Sequence, residues 1–261
     1  MGDFRELSGV GETYWAINRE ERQYAAILYH LLLNGDNLPR FLELIDCPYK
    51  VDETWSAYVE YAYLRDAWDK IGNDNDKKRK LISALLNTHD VSSLESASVQ
   101  EWNEHFGVGT PVASTAHVQS PSRWSLAKFD ANVADNDDFL ATCQFKWAFN
   151  IKPDIVIHTD NDHAVVIEAK CTAGEGSYPS TTPEKDIFKR RGLPYVRQTD
   201  VQQYLFKEIL GIEAVFRYVV KAGTASTPSY QTVLWKDAFA ALEHTGAPTF
   251  LTAWLRKLVH D

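Results

Sequence analysis

Hydrophobic positions in the first part of the chain recur with a helical period. Over residues 18–33, Asn18 is placed to cap a helix, Glu21 to complete a capping box, and the run from Tyr24 to Leu33 supplies an apolar face. Asn34-Gly35 is a typical helix stop. Helical spacing then continues to about residue 87, so residues 1–110 are predicted to form a mainly helical N-terminal portion whose first helix packs on the core.

Beyond residue 145 the pattern changes to that of strands. Apolar β-rich runs cover residues 154–159, 164–169 and 214–220, and a helix is predicted over residues 199–210. A strand, a helix and a further strand imply a crossover and parallel pairing, which adds to the hairpin made by the first two strands. The pattern therefore predicts an α/β fold with a central mixed β-sheet flanked by helices.

Gly, Pro, Ser and Thr accumulate between Gly107 and Ser125, which is typical of a loop and is the best candidate for a boundary. We therefore expect residues 111–261 to form the core, with two C-terminal amphipathic helices from Trp235 onward.

The composition of the chain is that of a soluble globular protein without a disulfide framework. The chain has 261 residues, of which 44% are hydrophobic and 24% charged, as is usual for a soluble globular protein. No apolar run is long enough to span a bilayer, and the N-terminus lacks the features of a signal peptide, so no membrane association is expected. Three cysteines without CxxC spacing argue against a zinc site or a disulfide framework and favour a cytoplasmic setting.

Candidate chemistry lies at the outer ends of the predicted hairpin, in Pro153-Asp154 and Glu168-Ala169-Lys170. Glu168 and Lys170 point to one face of their strand because side chains alternate. A three-residue turn over residues 160–162 places Asp154 opposite Glu168, whereas a four-residue turn shifts the register by one.

Two facing carboxylates repel each other unless a cation lies between them, and Mg²⁺ is typically held by one or two carboxylates together with waters and substrate phosphate. Mn²⁺ is expected to substitute for it. The amine of Lys170 is then available to orient or help deprotonate the attacking water, or to stabilise developing negative charge. Phosphodiester hydrolysis is the reaction class that uses all these groups.

These residues resemble the signature of the PD-(D/E)XK nuclease superfamily, a Pro-Asp on one strand and a Glu-x-Lys on the next. The resemblance covers about residues 18–35 and 145–220 and implies a restriction-endonuclease-like core. It implies the following roles: Asp154 and Glu168 as metal ligands, the Ala169 carbonyl as a further ligand, Lys170 as the catalytic lysine, and Glu21 or its neighbour Glu20 as an acid of the first core helix near the metal.

Positive charge follows the acidic motif, although the chain as a whole carries a formal net charge of −9 that opposes general attraction to nucleic acid. Within residues 185–197, Lys189, Arg190 and Arg191 are candidate phosphate contacts, with a solvated turn as the alternative. One branch of the superfamily has a glutamine and a tyrosine one turn apart on the next helix. Here no Gln stands four residues before Tyr204, and Gln202 is the candidate nucleic-acid contact.

The sequence therefore predicts a Mg²⁺-dependent deoxyribonuclease, and the resemblance alone implies a role in bacterial defence or restriction. The acidic net charge suggests that a protein partner or a homodimer delivers the DNA. Two alternatives remain open: a catalytically silent nucleic-acid or protein-interaction module on the same fold, and an RNA-directed nuclease.

For Glu21, helix capping is the alternative to a role near the metal. His158 and His163 are interpreted as exposed polar residues. The loop from Cys171 to Pro179 is expected to border the site.

Overall fold

The computed structural model describes residues 8, 20–107, 120–171, 174–221, 230–245, 247–249, 251–253 and 255. Its central feature is a five-stranded mixed sheet. In the order in which they lie side by side, its strands are β1 (Ser56–Val59), β2 (Ile155–His158), β3 (His163–Lys170), β6 (Glu213–Val220) and β7 (Gln231–Leu234). A two-stranded ribbon pairs β4 (Ser177–Tyr178) with β5 (Val196–Arg197).

Helices flank the sheet and precede, connect or follow its strands. They are α1 (Glu21–Leu32), α2 (Asn37–Leu44), α3 (Tyr63–Lys70), α4 (Asn75–Leu86), α5 (His89–Ser93), α6 (Val99–Phe106), α7 (Leu126–Asn132), α8 (Asn136–Ala148), α9 (Thr182–Arg191), α10 (Gln198–Tyr204) and α11 (Trp235–Ala240). A 3₁₀ turn at Pro121–Arg123 precedes α7, and a π-helical segment, Leu205–Ile209, extends α10. No helix in the described part of the chain is long and apolar enough to cross a membrane.

The hairpin between β2 and β3 has the register predicted for a three-residue turn. Ile155 pairs with Ile167 and His158 with Ala164, and the Thr159 amide donates to the His163 carbonyl at 3.1 Å. Continuing this register outward by one residue sets Asp154 opposite Glu168. The parallel pairing of β3 with β6 confirms the predicted crossover.

Alternate residues of the hairpin enter two different hydrophobic cores, because successive side chains of a strand point to opposite faces. Val156 and Val166 pack in one core with the aromatic residues of α6, α7 and α8. Ile157 and Ile167 pack in the other core, where Leu28 of α1 lies. The first helix thus packs against this face of the sheet. Burial on both faces explains the nearly continuous apolar runs of these strands.

The division predicted at residue 110 does not separate two structural units, because β1 pairs antiparallel with β2 and both portions contribute to each core. A contact between strands that are about a hundred residues apart in the chain leaves no local signal in the sequence pattern. Part of the predicted boundary loop, residues 108–119, lies outside the described residues, as does the predicted cap Asn18.

Candidate active site

The Pro153-Asp154 dipeptide is held by the end of β1. The amide of Glu60 donates to the Asp154 carbonyl at 2.9 Å, and the amide of Tyr61 donates to the Pro153 carbonyl at 3.0 Å. Glu60 adopts a positive φ of 52°, where the backbone turns away from the strand. These contacts place Asp154 at the start of β2. Because β2 and β3 are antiparallel, this position lies beside the end of β3.

The side chain of Asp154 lies beside the strand that carries Glu168. Its Oδ2 atom accepts a hydrogen bond from the Ala169 amide at 2.8 Å. Burial and the nearby Glu168 carboxylate raise the pKa of Asp154 from 3.8 to about 7, although the Ala169 amide and the Lys170 ammonium oppose this change. Asp154 and Glu168 are therefore crowded like charges, and a cation between them would relieve the repulsion.

Glu168 is only 5% exposed, and hydrogen-bond donors engage both of its carboxylate oxygens. Its Oε1 atom accepts from Lys170 Nζ at 2.8 Å and from Gln198 Nε2 at 2.7 Å. Its Oε2 atom accepts from Gln202 Nε2 at 2.8 Å. Gln198 and Gln202 are one turn apart on α10, so this helix presents two amides to one carboxylate.

Lys170 lies between two acidic side chains and is 8% exposed. Its Nζ atom is 2.8 Å from Glu168 Oε1 and 3.8 Å from Glu21 Oε2. Burial by itself lowers the pKa of Lys170, but the carboxylates of Glu168, Glu21 and Asp154 outweigh it and the net change is upward. Lys170 is therefore an ammonium group in this arrangement, and it donates to Glu168.

The first described helix, α1, brings Glu21 to the end of β3. Glu21 Oε1 accepts from the Cys171 amide at 2.9 Å, and Glu21 lines the same cavity as Asp154 and Glu168, whereas Glu20 does not line it. The side chain of Glu21 therefore points toward the end of β3. The capping box predicted for Glu21 does not fit the structure, because the helix begins at Glu21 with Glu20 as its N-cap residue, so Glu21 is not at the third helical position.

A cavity of about 400 Å³ opens over these groups. Its lining comprises Glu21, Arg22, Glu60, Asn150, Ile151, Lys152, Asp154, Glu168, Tyr178 and Gln198. Sequence reasoning missed Glu60, Lys152 and Gln198. The four-residue spacing of Gln198 and Gln202 was an available signal for the glutamine, but Glu60 comes from a non-local strand pairing. Tyr178, in the loop predicted to border the site, does border it.

The donor chemistry of the cavity fits a hard divalent cation. Mg²⁺ needs only one or two protein carboxylates and keeps several waters, and Asp154 and Glu168 supply such a pair. Within the described residues, no group of three or more His, Cys, Asp or Glu side chains is placed so that it could hold a metal ion.

The three residues predicted to contact phosphate, Lys189, Arg190 and Arg191, lie at the end of α9 and do not line the cavity. Arg191 donates to Asp130, to Asn136 and to the Val133 carbonyl, and its guanidinium lies 4.0 Å from the Phe139 ring centre. Its donors are therefore used to join α9 to the segment between α7 and α8.

Arg190 also pairs with Asp130, but its side chain is largely exposed, and Lys189 is exposed as well. These two cations remain accessible to a phosphate backbone. Gln202, by contrast, is 0% exposed and donates to Glu168. This corrects the prediction of a nucleic-acid contact: a fully buried amide reaches the carboxylate and not a ligand in solvent.

The two hairpin histidines contact neighbouring side chains and do not line the acidic cavity. His158 Nε2 lies 3.1 Å from the Tyr61 hydroxyl, and His163 Nδ1 lies 2.8 Å from Asp160.

The chain matches no protein-family model, no curated protein and no solved structure with which it was compared.

Proposed function

We propose that this chain is a nuclease that hydrolyses phosphodiester bonds in DNA with Mg²⁺, or Mn²⁺ in its place, on a restriction-endonuclease-like version of the α/β fold. One observation carries the proposal: Asp154 and Glu168 face each other across a hairpin in one cavity, with Lys170 donating to Glu168. The raised pKa of Asp154 supports it, because a carboxylate pair that repels in the absence of a cation is suited to binding one.

Asp154 and Glu168 would hold the metal through their carboxylates, with the Ala169 carbonyl as the further ligand that the sequence resemblance implies and Glu21 near the metal. When bound, Mg²⁺ supplies Lewis-acid stabilisation of charge on the phosphate and lowers the pKa of water. Gln198 and Gln202 orient the Glu168 carboxylate from the other side, as outer partners of metal ligands commonly do.

Lys170 acts as a charge-stabilising donor in this proposal. Its ammonium group is next to the carboxylates and can donate to a phosphate oxygen as negative charge develops there. Lys152 also lines the cavity and supplies a second positive charge for the scissile strand. Exposed Lys189 and Arg190 are suited to more distant backbone contacts, and a protein partner or second copy would offset the acidic net charge.

A second candidate function is favoured by the hydrogen bonds that Glu168 already accepts. Three donors already occupy its two oxygens, as in a buried polar network that serves only the structure. A catalytically silent module on the same fold would keep this network intact and would have no need to release Lys170.

Plasmid nicking in Mg²⁺ and in Mn²⁺ distinguishes the two candidates. We expect wild-type protein to nick supercoiled DNA, and Asp154→Asn and Lys170→Ala to reduce the rate by at least about a hundredfold. Asp162→Asn is the matched control, because it removes one carboxylate from the same hairpin at an exposed position. A single-stranded RNA substrate run in parallel separates DNA from RNA specificity. Equal rates for wild type and Asp154→Asn would refute the site.

A further inference from the structure

A second cavity of about 510 Å³ lies at the end of β1, next to the candidate active site. Tyrosines of the segment 58–63 line it, together with His158 of β2 and Ile212. Glu60 lines both this cavity and the acidic one, so the two are neighbours. The proposed nuclease function makes no use of this second cavity.

Exposed apolar surface is concentrated here. In the described part of the chain, the exposed large hydrophobic residues are Leu33, Tyr58, Val59, Tyr63 and Tyr195. Three of these five lie within six residues of one another and line this cavity. Scattered single apolar residues on a surface are ordinary, whereas a cluster inside a concave site is typical of a binding surface.

The aromatic rings are held in place by a buried neighbour. Tyr61 is buried, and its ring is stacked on Tyr63 with centroids 5.9 Å apart and an interplanar angle of 13°. Tyr61 also contacts the Tyr58 ring at 5.7 Å, and its hydroxyl lies 3.1 Å from His158. Tyr58 and Tyr63 nevertheless remain 47% and 55% exposed. The rings therefore offer accessible faces in an ordered arrangement.

The charge of the cavity selects among ligands. Glu60, Asp66 and Asp160 line it, and its lining in the described structure contains no lysine or arginine. The nearest cationic partners of two of these acids, Arg22 and Arg65, belong to solvent-exposed pairs that contribute little. Carboxylates beside aromatic faces attract cations and repel phosphates, so the cavity is complementary to a basic group and not to a nucleic-acid backbone.

The position of the cavity also indicates how such a group would arrive. Within the part of the chain that the structure describes, β1 is at the edge of the five-stranded sheet, with β2 as its neighbour on one side. An edge strand presents a row of backbone N–H and C=O groups to an incoming extended segment. Tyr58 belongs to β1 itself, so a segment paired with this strand would bring its side chains to the cavity.

We propose that this cavity binds an arginine side chain carried by an extended basic segment of a partner protein. A guanidinium group combines the two features of the site, because it stacks flat on tyrosine rings and pairs with carboxylates through its fork of donors. A lysine ammonium matches the charge but not the stacking. The inference is independent of the nuclease proposal, although Glu60 would place the partner beside the acidic cavity.

Binding of a short acetylated peptide that alternates arginine and threonine, measured by calorimetry in EDTA at physiological ionic strength, tests the inference. The probe for comparison is the same peptide with neutral citrulline in place of arginine. We expect the arginine peptide to bind full-length protein about tenfold more tightly, and Tyr63→Leu and Asp66→Asn each to weaken it by about threefold to tenfold.

Two variants serve as matched controls for residue type and charge. Tyr195→Leu removes another exposed tyrosine and Glu208→Gln another exposed acid, both outside this cavity, and neither should change binding. Equal affinity for the arginine and citrulline peptides would overturn the inference, as would equal weakening by Asp66→Asn and Glu208→Gln. Tyr63-dependent binding of oligothymidine without binding of the arginine peptide would also overturn it, in favour of a nucleobase site.

Discussion

Asp154→Asn should make the protein more stable at alkaline pH when no divalent cation is present. A carboxyl group whose pKa is raised in the folded state contributes stability below its unfolded pKa of about 3.8, and this contribution is lost as the pH rises through about 7. The interval between these values corresponds to a ceiling of about 4 kcal/mol in the free energy of unfolding. Asparagine is neutral at every pH, so it does not undergo this loss.

We expect a smaller difference than the ceiling, about 2 to 3 kcal/mol at pH 8, because the titration of Asp154 depends on Glu168 and Lys170 and because asparagine keeps only one acceptor oxygen for the Ala169 amide. Urea denaturation of both proteins in EDTA, followed from pH 4 to pH 8, measures the difference as a function of pH. The stability of wild type relative to the variant should fall across this window.

Mg²⁺ adds a second readout to the same experiment. At pH 8 it should raise the melting temperature of wild type, because the ion binds the folded state and relieves the repulsion, and it should raise that of Asp154→Asn much less. Asp162→Asn, from the turn of the same hairpin, should follow wild type in both readouts. A pH-independent difference between wild type and Asp154→Asn would refute the reasoning about crowded charges, and equal responses to Mg²⁺ would refute the role of Asp154 in binding it.

Three further predictions concern single side chains around the site. Gln202→Leu should lower the free energy of unfolding by about 1 to 3 kcal/mol in urea denaturation, because it leaves a buried Glu168 oxygen without its donor; Gln203→Leu, its exposed neighbour on α10, should have little effect. Glu21→Gln should raise the Mg²⁺ concentration needed for half-maximal nicking by about tenfold or more; an unchanged Mg²⁺ requirement would assign Glu21 to the Cys171 amide alone. Arg191→Lys should lower the free energy of unfolding by about 1 to 2 kcal/mol without weakening DNA binding in a filter assay, because lysine cannot reproduce the forked contacts of the guanidinium. Lys189→Ala should weaken DNA binding without lowering the free energy of unfolding. If both variants changed the same property, the two residues would not have separate roles.

The hairpin is the part of the site that local sequence pattern predicted best. The apolar runs on either side of residues 160–162 specified two strands, and a three-residue turn was sufficient to set Asp154 opposite Glu168. The position of Glu21 was also predictable in outline, since a helix with an apolar face must pack on the sheet. Its contact with the Cys171 amide depends on the exact position of that helix, which no local pattern contains.

Other parts of the site depend on contacts between distant segments. The pattern of residues 55–61 did not predict a strand, yet β1 pairs with β2 and brings Glu60 to the cavity. Lys189, Arg190 and Arg191 are adjacent and chemically similar in the sequence. Only packing distinguishes them, because Arg191 turns inward to Asp130 and Val133. Gln202 and Gln203 are distinguished in the same way, since one is fully buried against Glu168 and the other is exposed.

The sequence by itself determined the α/β class, the hairpin and the acids at its ends, because these follow from the alternation of strand side chains. It left two registers open, one for a three-residue and one for a four-residue turn, and the structure has the first. Tertiary structure alone decided which charges face one another, which amides hold Glu168, and that two portions of the chain share one sheet. The physical reason is that periodicity records which face of an element is buried, whereas partner choice depends on how elements far apart in the chain pack together.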